Sequence, residues 1–331
     1  MKRLIVIAGV LFAAGATFLL WQRRPPRPEN QRAGKFPEEL VYVRSEDDVV
    51  SGGAIFTPPK ELSKPIALIW IHGWGANFYS PTYVGIGRAL AERGYTTITA
   101  NTRMHDIGNV AKYSSGRRVR GGGYWGVASE EVRDLAAWAD FAEGRGFGQI
   151  VLIGHSAGWA AVRKYQADTQ DKRVVGVVLA SGSVRPGAGA DRQELAAQAA
   201  RLVAEGAGDD LLRLPKRSFP SYVSAATFLD TVNTPPEFRD FFGVQSAHPA
   251  VTRVHCPLLA FFGTREADIG TAADLELLKA AVRRQSSGPS RVDTVMIQNG
   301  DHMYAGQESQ VAQTVATWAD TLLPQQAGKG Q

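Results

Sequence analysis

The hydrophobic pattern along this chain alternates between two periods. Runs of continuous apolar residues, such as "PIALIWIHG" at 65–73 and "QIVLIG" at 149–154, end in glycine. A run of that length and composition predicts a strand covered on both faces. Between the runs lie stretches with helical spacing. Residues 82–93, "TYVGIGRALAER", form one, and Gly94 ends it. Residues 127–145 form another, with an inner face of Val132, Leu135, Ala136, Trp138, Ala139 and Ala142. Further predicted strands are "ELVYVR", "GGAIFTP", "YTTITANTR", "VVGVVLASG", "PLLAFFG" and "VDTVMIQNG". Further predicted helices are "SAGWAAVRKYQAD", "TAADLELLKAAVRR" and "QESQVAQTVATWADTLL".

Strands alternating with helices predict an α/β fold. Its centre is a mostly parallel sheet flanked by helices on both faces. One stretch breaks the alternation. Residues 184–250 begin helical and polar ("DRQELAAQAARLVAEG") and turn Pro- and aromatic-rich, with no strand evident. They read as a small helical cap inserted after "VVLASG". The folded domain is expected to span 39–325, with 326–331 as a flexible tail.

The N-terminus follows neither period. Residues 4–20, "LIVIAGVLFAAGATFLL", carry no charge, and Trp21, Arg23 and Arg24 follow. As a helix this segment rises about 25 Å, close to a bilayer core, and Trp suits the interface. Residues 1–21 are therefore expected to anchor the chain in a membrane. A cleaved signal peptide is the rival reading, which would leave a secreted or periplasmic protein. The basic residues on both sides of the segment leave its orientation open. Residues 22–38 are rich in Pro and Arg and read as a linker.

Charge changes the picture only once it is located. The formal net charge is +5, but residues 1–35 contain seven basic residues and one acidic residue. The remainder holds 30 basic against 31 acidic side chains. No basic stripe is left to track phosphates, so no nucleic-acid partner is expected. The lone cysteine, Cys256, excludes an intrachain disulfide and reads as a structural thiol. No Cys/His cluster has the spacing of metal ligands, so neither metal nor cofactor is expected.

Three loops carry candidate chemistry, each following a predicted strand. "GHSAG" at 154–158 lies between a strand and a helix. So sharp a turn holds Ser156 in strained backbone angles and presents it at the sheet edge, beside a helix N-terminus. "HGWGAN" at 72–77 follows the strand before it, and the amides of Trp74 and Ala157 are candidate oxyanion donors. His72 reads as a structural loop residue. "NGDHMY" at 299–304 follows the last strand and supplies His302 as the candidate base for Ser156. His155 lies inside the elbow and cannot turn back on Ser156. His105, His248 and His255 read as structural. The acid that orients His302 is expected in "TREADIG", where Glu266 and Asp268 both qualify. The reading leans to Asp268, with Glu266, three residues after Gly263, close behind.

These residues resemble the α/β-hydrolase superfamily. Within it the chain is similar to serine hydrolases grouped with serine-aminopeptidase-like proteins and siderophore-ester hydrolases. The matching stretches are "IHGWGANFYSPTY", "ALAERGYTTITANTRMHD", "VLIGHSAGW", "ARLVAEGAGDDLL" with "SAATF", and "NGDHMY". The resemblance implies Ser156 as nucleophile, His302 as base, and main-chain donors at Trp74 and Ala157. Two departures stand out: Met104 where such loops carry glycine, and "GTREADIG" without a clean Gly-x-x-Asp. The expectation is a hydrolase acting on a small-molecule ester or related acyl compound through an acyl-enzyme. The alternatives are an aminopeptidase or acyltransferase of the same fold, or a membrane-tethered binding protein on a dead scaffold. A dehalogenase or epoxide hydrolase would need Asp at position 156.

Overall fold

The computed structural model describes residues 34–184, 192–215 and 220–323. The expected anchor at 1–21, the linker up to residue 33 and the tail at 326–331 lie outside the described residues. Among the described residues no helix is long and apolar enough to cross a membrane.

Ten strands form one sheet in the order β12-β11-β8-β7-β3-β4-β2-β5-β6, with β1 paired to β2. They are β1 (Glu38–Arg44), β2 (Val49–Phe56), β3 (Ile66–Ile71), β4 (Thr97–Ala100), β5 (Asn109–Tyr113), β6 (Arg118–Gly121), β7 (Gln149–His155), β8 (Val174–Ala180), β11 (Leu258–Gly263) and β12 (Val292–Ile297). The run from β4 through β3, β7, β8 and β11 to β12 is parallel. The pairings of β1, β2, β5 and β6 are antiparallel. The expected mostly parallel sheet flanked by helices is thus present.

Alternation along the buried strands builds a core on each face. Ala67, Ile69 and Ile71 of β3 face a cluster with Leu135, Trp138, Trp159, Val162 and Leu278. Those partners come from α2 (Glu131–Gly144), α3 (Gly158–Thr169) and α7 (Ala272–Arg283). Ile66, Leu68 and Trp70 face the opposite cluster, with Tyr83, Ile86, Leu90, Val311 and Val315. These belong to α1 (Pro81–Ala91) and α8 (Glu308–Asp320). Each such side chain taken fully out of water stabilises the fold by about 1.5–3 kcal/mol.

Three features of the structure go beyond the pattern in the sequence. The hairpin β5–β6 extends the sheet although nothing in "NVAKY" or "RVRG" alternates as a half-buried strand should. Both strands are largely solvent-facing, and they are held by backbone pairing to the start of β2 and to each other. Strand β1 starts at Glu38, and Phe36 packs beside Phe56 and Ala91. The stretch expected as a helical cap, 184–250, is not wholly helical. Helix α4 (Arg192–Ala204), strands β9 (Leu211–Arg213) and β10 (Tyr222–Ser224) and helix α5 (Ala225–Asn233) enclose their own core around Ala199, Leu212, Val223 and Phe228. Three-residue strands are too short to show a period in sequence. Beyond them, Phe238 of the short helix α6 (Pro236–Arg239), with Phe241, Phe242 and Val251, packs into the main core instead. Aromatic side chains of that size stay with whichever core can bury them whole.

Candidate active site

The parallel strands end at one edge, where register aligns Ile71 with Gly154, His155 with Ala180, and Gly263 with Ile297. Every sequence-predicted site residue follows one of these strand ends, as expected for an open parallel sheet.

Ser156 sits immediately after β7 with φ of +51°, a conformation that costs a non-glycine residue about 1–3 kcal/mol. Its amide donates to Ala180 O at 2.9 Å, which ties the turn to the end of β8. The flanking glycines permit the turn. A Cβ on Gly154 would lie 2.3 Å from Gly158 O, and one on Gly158 would lie 2.6 Å from His72 O. Helix α3 then begins at Gly158, so Ser156 adjoins a helix N-terminus.

His302 Nε2 lies 3.0 Å from Ser156 Oγ, and its Nδ1 lies 2.8 Å from Glu266 Oε2. With Nδ1–H donating to the carboxylate, Nε2 is left to accept the serine proton. Of the two candidate carboxylates, the structure places Glu266, and not Asp268, against the imidazole. Asp268 is exposed, whereas Glu266 is 2% exposed. Three donors satisfy the buried carboxylate. His302 holds one oxygen, while the Ser181 hydroxyl and the Gly263 amide donate to the other. The Tyr304 phenol, held well above its usual range by burial, donates to Ser181 Oγ in turn. The loops bearing Glu266 and His302 also touch directly, since a Cβ on Gly263 would lie 2.2 Å from Gly300 O.

The "HG" loop presses on the same serine. A Cβ on Gly73 would come 2.9 Å from Ser156 Cβ. Trp74 follows Gly73 and Ala157 follows Ser156 in the chain, so each candidate amide belongs to the residue next to this close approach. His72 holds the loop from below. Its Nδ1–H donates to Gly73 O at 2.8 Å and its Nε2 accepts from the Thr102 amide at 3.1 Å. Burial pushes this imidazole down to about 4, so it stays neutral. His105 bonds Asp106 within its own loop, and His248 and His255 are solvent-facing. Cys256 is half-buried against the main core, and burial pushes its thiol up to about 12.

Beneath the loop of 101–104, Thr102 Oγ1 donates to Glu131 at 2.7 Å, and Arg103 pairs with Asp134 at 2.9 Å, Asp47 and Glu130. Burial pushes the Glu131 carboxyl up to about 8. The cap reaches the site through residues 122–126. Ser224 N–H donates to Tyr124 O at 2.7 Å, and Thr227 Oγ1 to Gly126 O at 2.8 Å. On the other side of that segment, the Trp74 indole donates to Gly123 O at 3.0 Å.

Four residues close to this site escaped the sequence reading: Tyr83, His155 in its actual role, Ser181 and Tyr304. Their partners lie 72 to 147 residues away along the chain, beyond any local signal.

The model of the alpha/beta hydrolase family matches residues 68–317. No curated protein matches the sequence. Among solved structures, DcsB bound to its substrate analogue is similar with a TM-score of 0.64 at 13% identity, covering 87% of this chain and all (100%) of that one. Est1E from Butyrivibrio proteoclasticus with ferulic acid bound has a TM-score of 0.57 at 16% identity, covering 85% and 98%. An esterase from Pyrococcus furiosus has a TM-score of 0.55 at 15% identity, covering 91% and 100%.

Proposed function

The chain belongs to the alpha/beta hydrolase family, and from that premise we propose that it is a serine hydrolase that cleaves carboxylic esters or related acyl compounds through an acyl-enzyme on Ser156. One observation carries this reading: Ser156, His302 and Glu266 stand in line at 3.0 and 2.8 Å. The esterase from Pyrococcus furiosus and its similar fold support an ester over other acyl compounds.

In the proposed reaction Ser156 Oγ attacks the acyl carbon while His302 Nε2 takes the hydroxyl proton. Glu266 stabilises the imidazolium that results. The amides of Trp74 and Ala157 donate to the oxyanion, a contact typically worth a few kcal/mol of barrier per donor. Collapse of the intermediate breaks the acyl C–O bond, and His302 returns its proton to the departing alcohol. Water then attacks the acyl-enzyme, with His302 again taking a proton, and Ser156 is released. The N-terminal segment at 1–21 is proposed to hold this enzyme at a membrane.

A fluorophosphonate tests the chemistry without knowledge of the substrate. Ser156 Oγ forms an O–P bond, the P–F bond breaks, and His302 takes the proton. The wild-type chain is expected to be labelled on Ser156, and Ser156→Ala to be folded and unlabelled. An unlabelled wild type, or a labelled alanine variant, overturns the reading.

A further inference from the structure

The proposed mechanism leaves idle the residue beside its nucleophile. His155 is fully buried, and its ring makes two hydrogen bonds, each to a different loop. Nε2 lies 2.7 Å from the backbone carbonyl oxygen of His302. Nδ1 lies 2.7 Å from Tyr83 Oη. A carbonyl can only accept, so Nε2 carries the proton, and Nδ1 of the neutral ring accepts from the Tyr83 hydroxyl. Tyr83 Oη accepts in turn from the Gly73 amide at 3.2 Å. These groups form a single chain of one polarity, from Gly73 N–H through Tyr83 and His155 to His302 C=O. Among the described residues no carboxylate is hydrogen-bonded to the His155 ring. Trp70, Tyr83, His302 and Tyr304 are its ring neighbours.

The ends of the chain are the two loops that the reaction must hold around Ser156. Gly73 carries the candidate oxyanion amide of the next residue, and the His302 ring reaches the serine hydroxyl. His155 is bonded covalently to Ser156 itself. We infer that Tyr83 and His155 are positioning residues that lock the base loop and the oxyanion loop in register with the nucleophile. This rests on the reading of Ser156 as nucleophile.

The chemistry of the relay fits that task. Glu266 fixes His302 at Nδ1 and His155 fixes it at the backbone, so the ring has little freedom left to leave Ser156. The neutral state of His155 matters too. Its ring centroid lies 5.0 Å from that of His302, which becomes a cation during the reaction, and a second cation there would oppose it. Burial holds His155 down to about 3, so it remains neutral through the working range.

The test compares full-chain Tyr83→Phe, His155→Ala and His155→Gln by fluorophosphonate labelling, separating kinact from KI, alongside melting temperature. Tyr83→Phe removes one oxygen and keeps the ring packing. It is expected to lower kinact about tenfold with KI within about twofold, since misplacements of about 1 Å cost up to ~10²-fold. His155→Ala is expected to lose about 10²-fold, and His155→Gln, whose amide N–H can still reach the His302 carbonyl, to recover about tenfold of that. Wild-type kinact in Tyr83→Phe overturns the inference even if His155→Ala does not fold. So do losses that only follow melting temperature, with glutamine no better than alanine. A wild-type chain that is not labelled at all instead overturns the nucleophile reading, and this inference falls with it.

Discussion

Glu266 and His302 meet at 2.8 Å although 36 residues separate them, and the carboxylate is buried while the imidazole is 36% exposed. The pair is therefore anchored from the protein side and open to solvent at the imidazole. Glu266→Gln is expected to lower turnover of a chromogenic ester about 10³- to 10⁴-fold, as misorienting the base does in serine triads. Asp268→Asn, at an exposed loop position, is expected to stay within about twofold, because an exposed charge contributes roughly 0–1 kcal/mol. Steady-state rates of the two variants check this, and the reverse ranking would return the role to Asp268.

Gly73 is the point where the "HG" loop and the elbow touch. An added Cβ would meet Ser156 Cβ at 2.9 Å and His155 Nδ1 at 3.3 Å. Gly73→Ala must push the loop away and carry the Trp74 amide with it. Labelling by fluorophosphonate is expected to slow about 10- to 10²-fold, with about 1–3 kcal/mol of stability lost to overpacking. A wild-type labelling rate would mean that the loop can shift without moving a donor.

Two buried histidines contribute to the acid side of stability. Burial lowers His72 to about 4 and His155 to about 3, against an ordinary value of 6.5. Between about pH 4 and 6.5 the unfolded chain binds protons at these rings that the folded chain refuses. Their contribution is thus complete above pH 6.5 and is lost as pH falls, each ring adding a slope of up to about 1.4 kcal/mol per pH unit. Glu131 works in the opposite sense. Raised from 4.5 to about 8, it makes the fold less stable as pH rises through that window. Urea denaturation of His155→Gln at pH 5 and pH 7 is expected to show a shallower acid loss than wild type by about one proton's slope. Equal slopes would place a charged ring in the native core.

The N-terminal segment makes a separate prediction. The full chain is expected in the membrane fraction, and deletion of residues 1–35 to release a soluble protein with the same labelling rate, since Phe36–Gln331 is a compact unit of its own. Mass spectrometry of the mature N-terminus tests the rival. A start near Thr17 would show a cleaved signal and overturn the anchor.

What the sequence determined by itself was whatever local chemistry forces. β3 and β11 are apolar at every position apart from the closing glycine, and such runs have no stable home except between two layers. "GHSAG" was legible because Gly154 and Gly158 remove side chains that would strike backbone 2.3–2.6 Å away. His302 was legible because it follows the last strand of an ordered set. The hairpin β5–β6 was not, because its stability comes from pairing with β2 rather than from its own side chains.

Only the tertiary structure places Glu266 rather than Asp268 against His302. Two carboxylates in one short loop look alike along the chain. The difference is made by Ser181, 85 residues away, by the Gly263 amide, and by the close approach of Gly263 to Gly300. The same holds for His155, which the sequence could place beside Ser156 but not against Tyr83 and the His302 carbonyl, 72 and 147 residues distant. A buried polar group is stable only when its bonds are met, and which partners meet them is settled where distant strand ends converge.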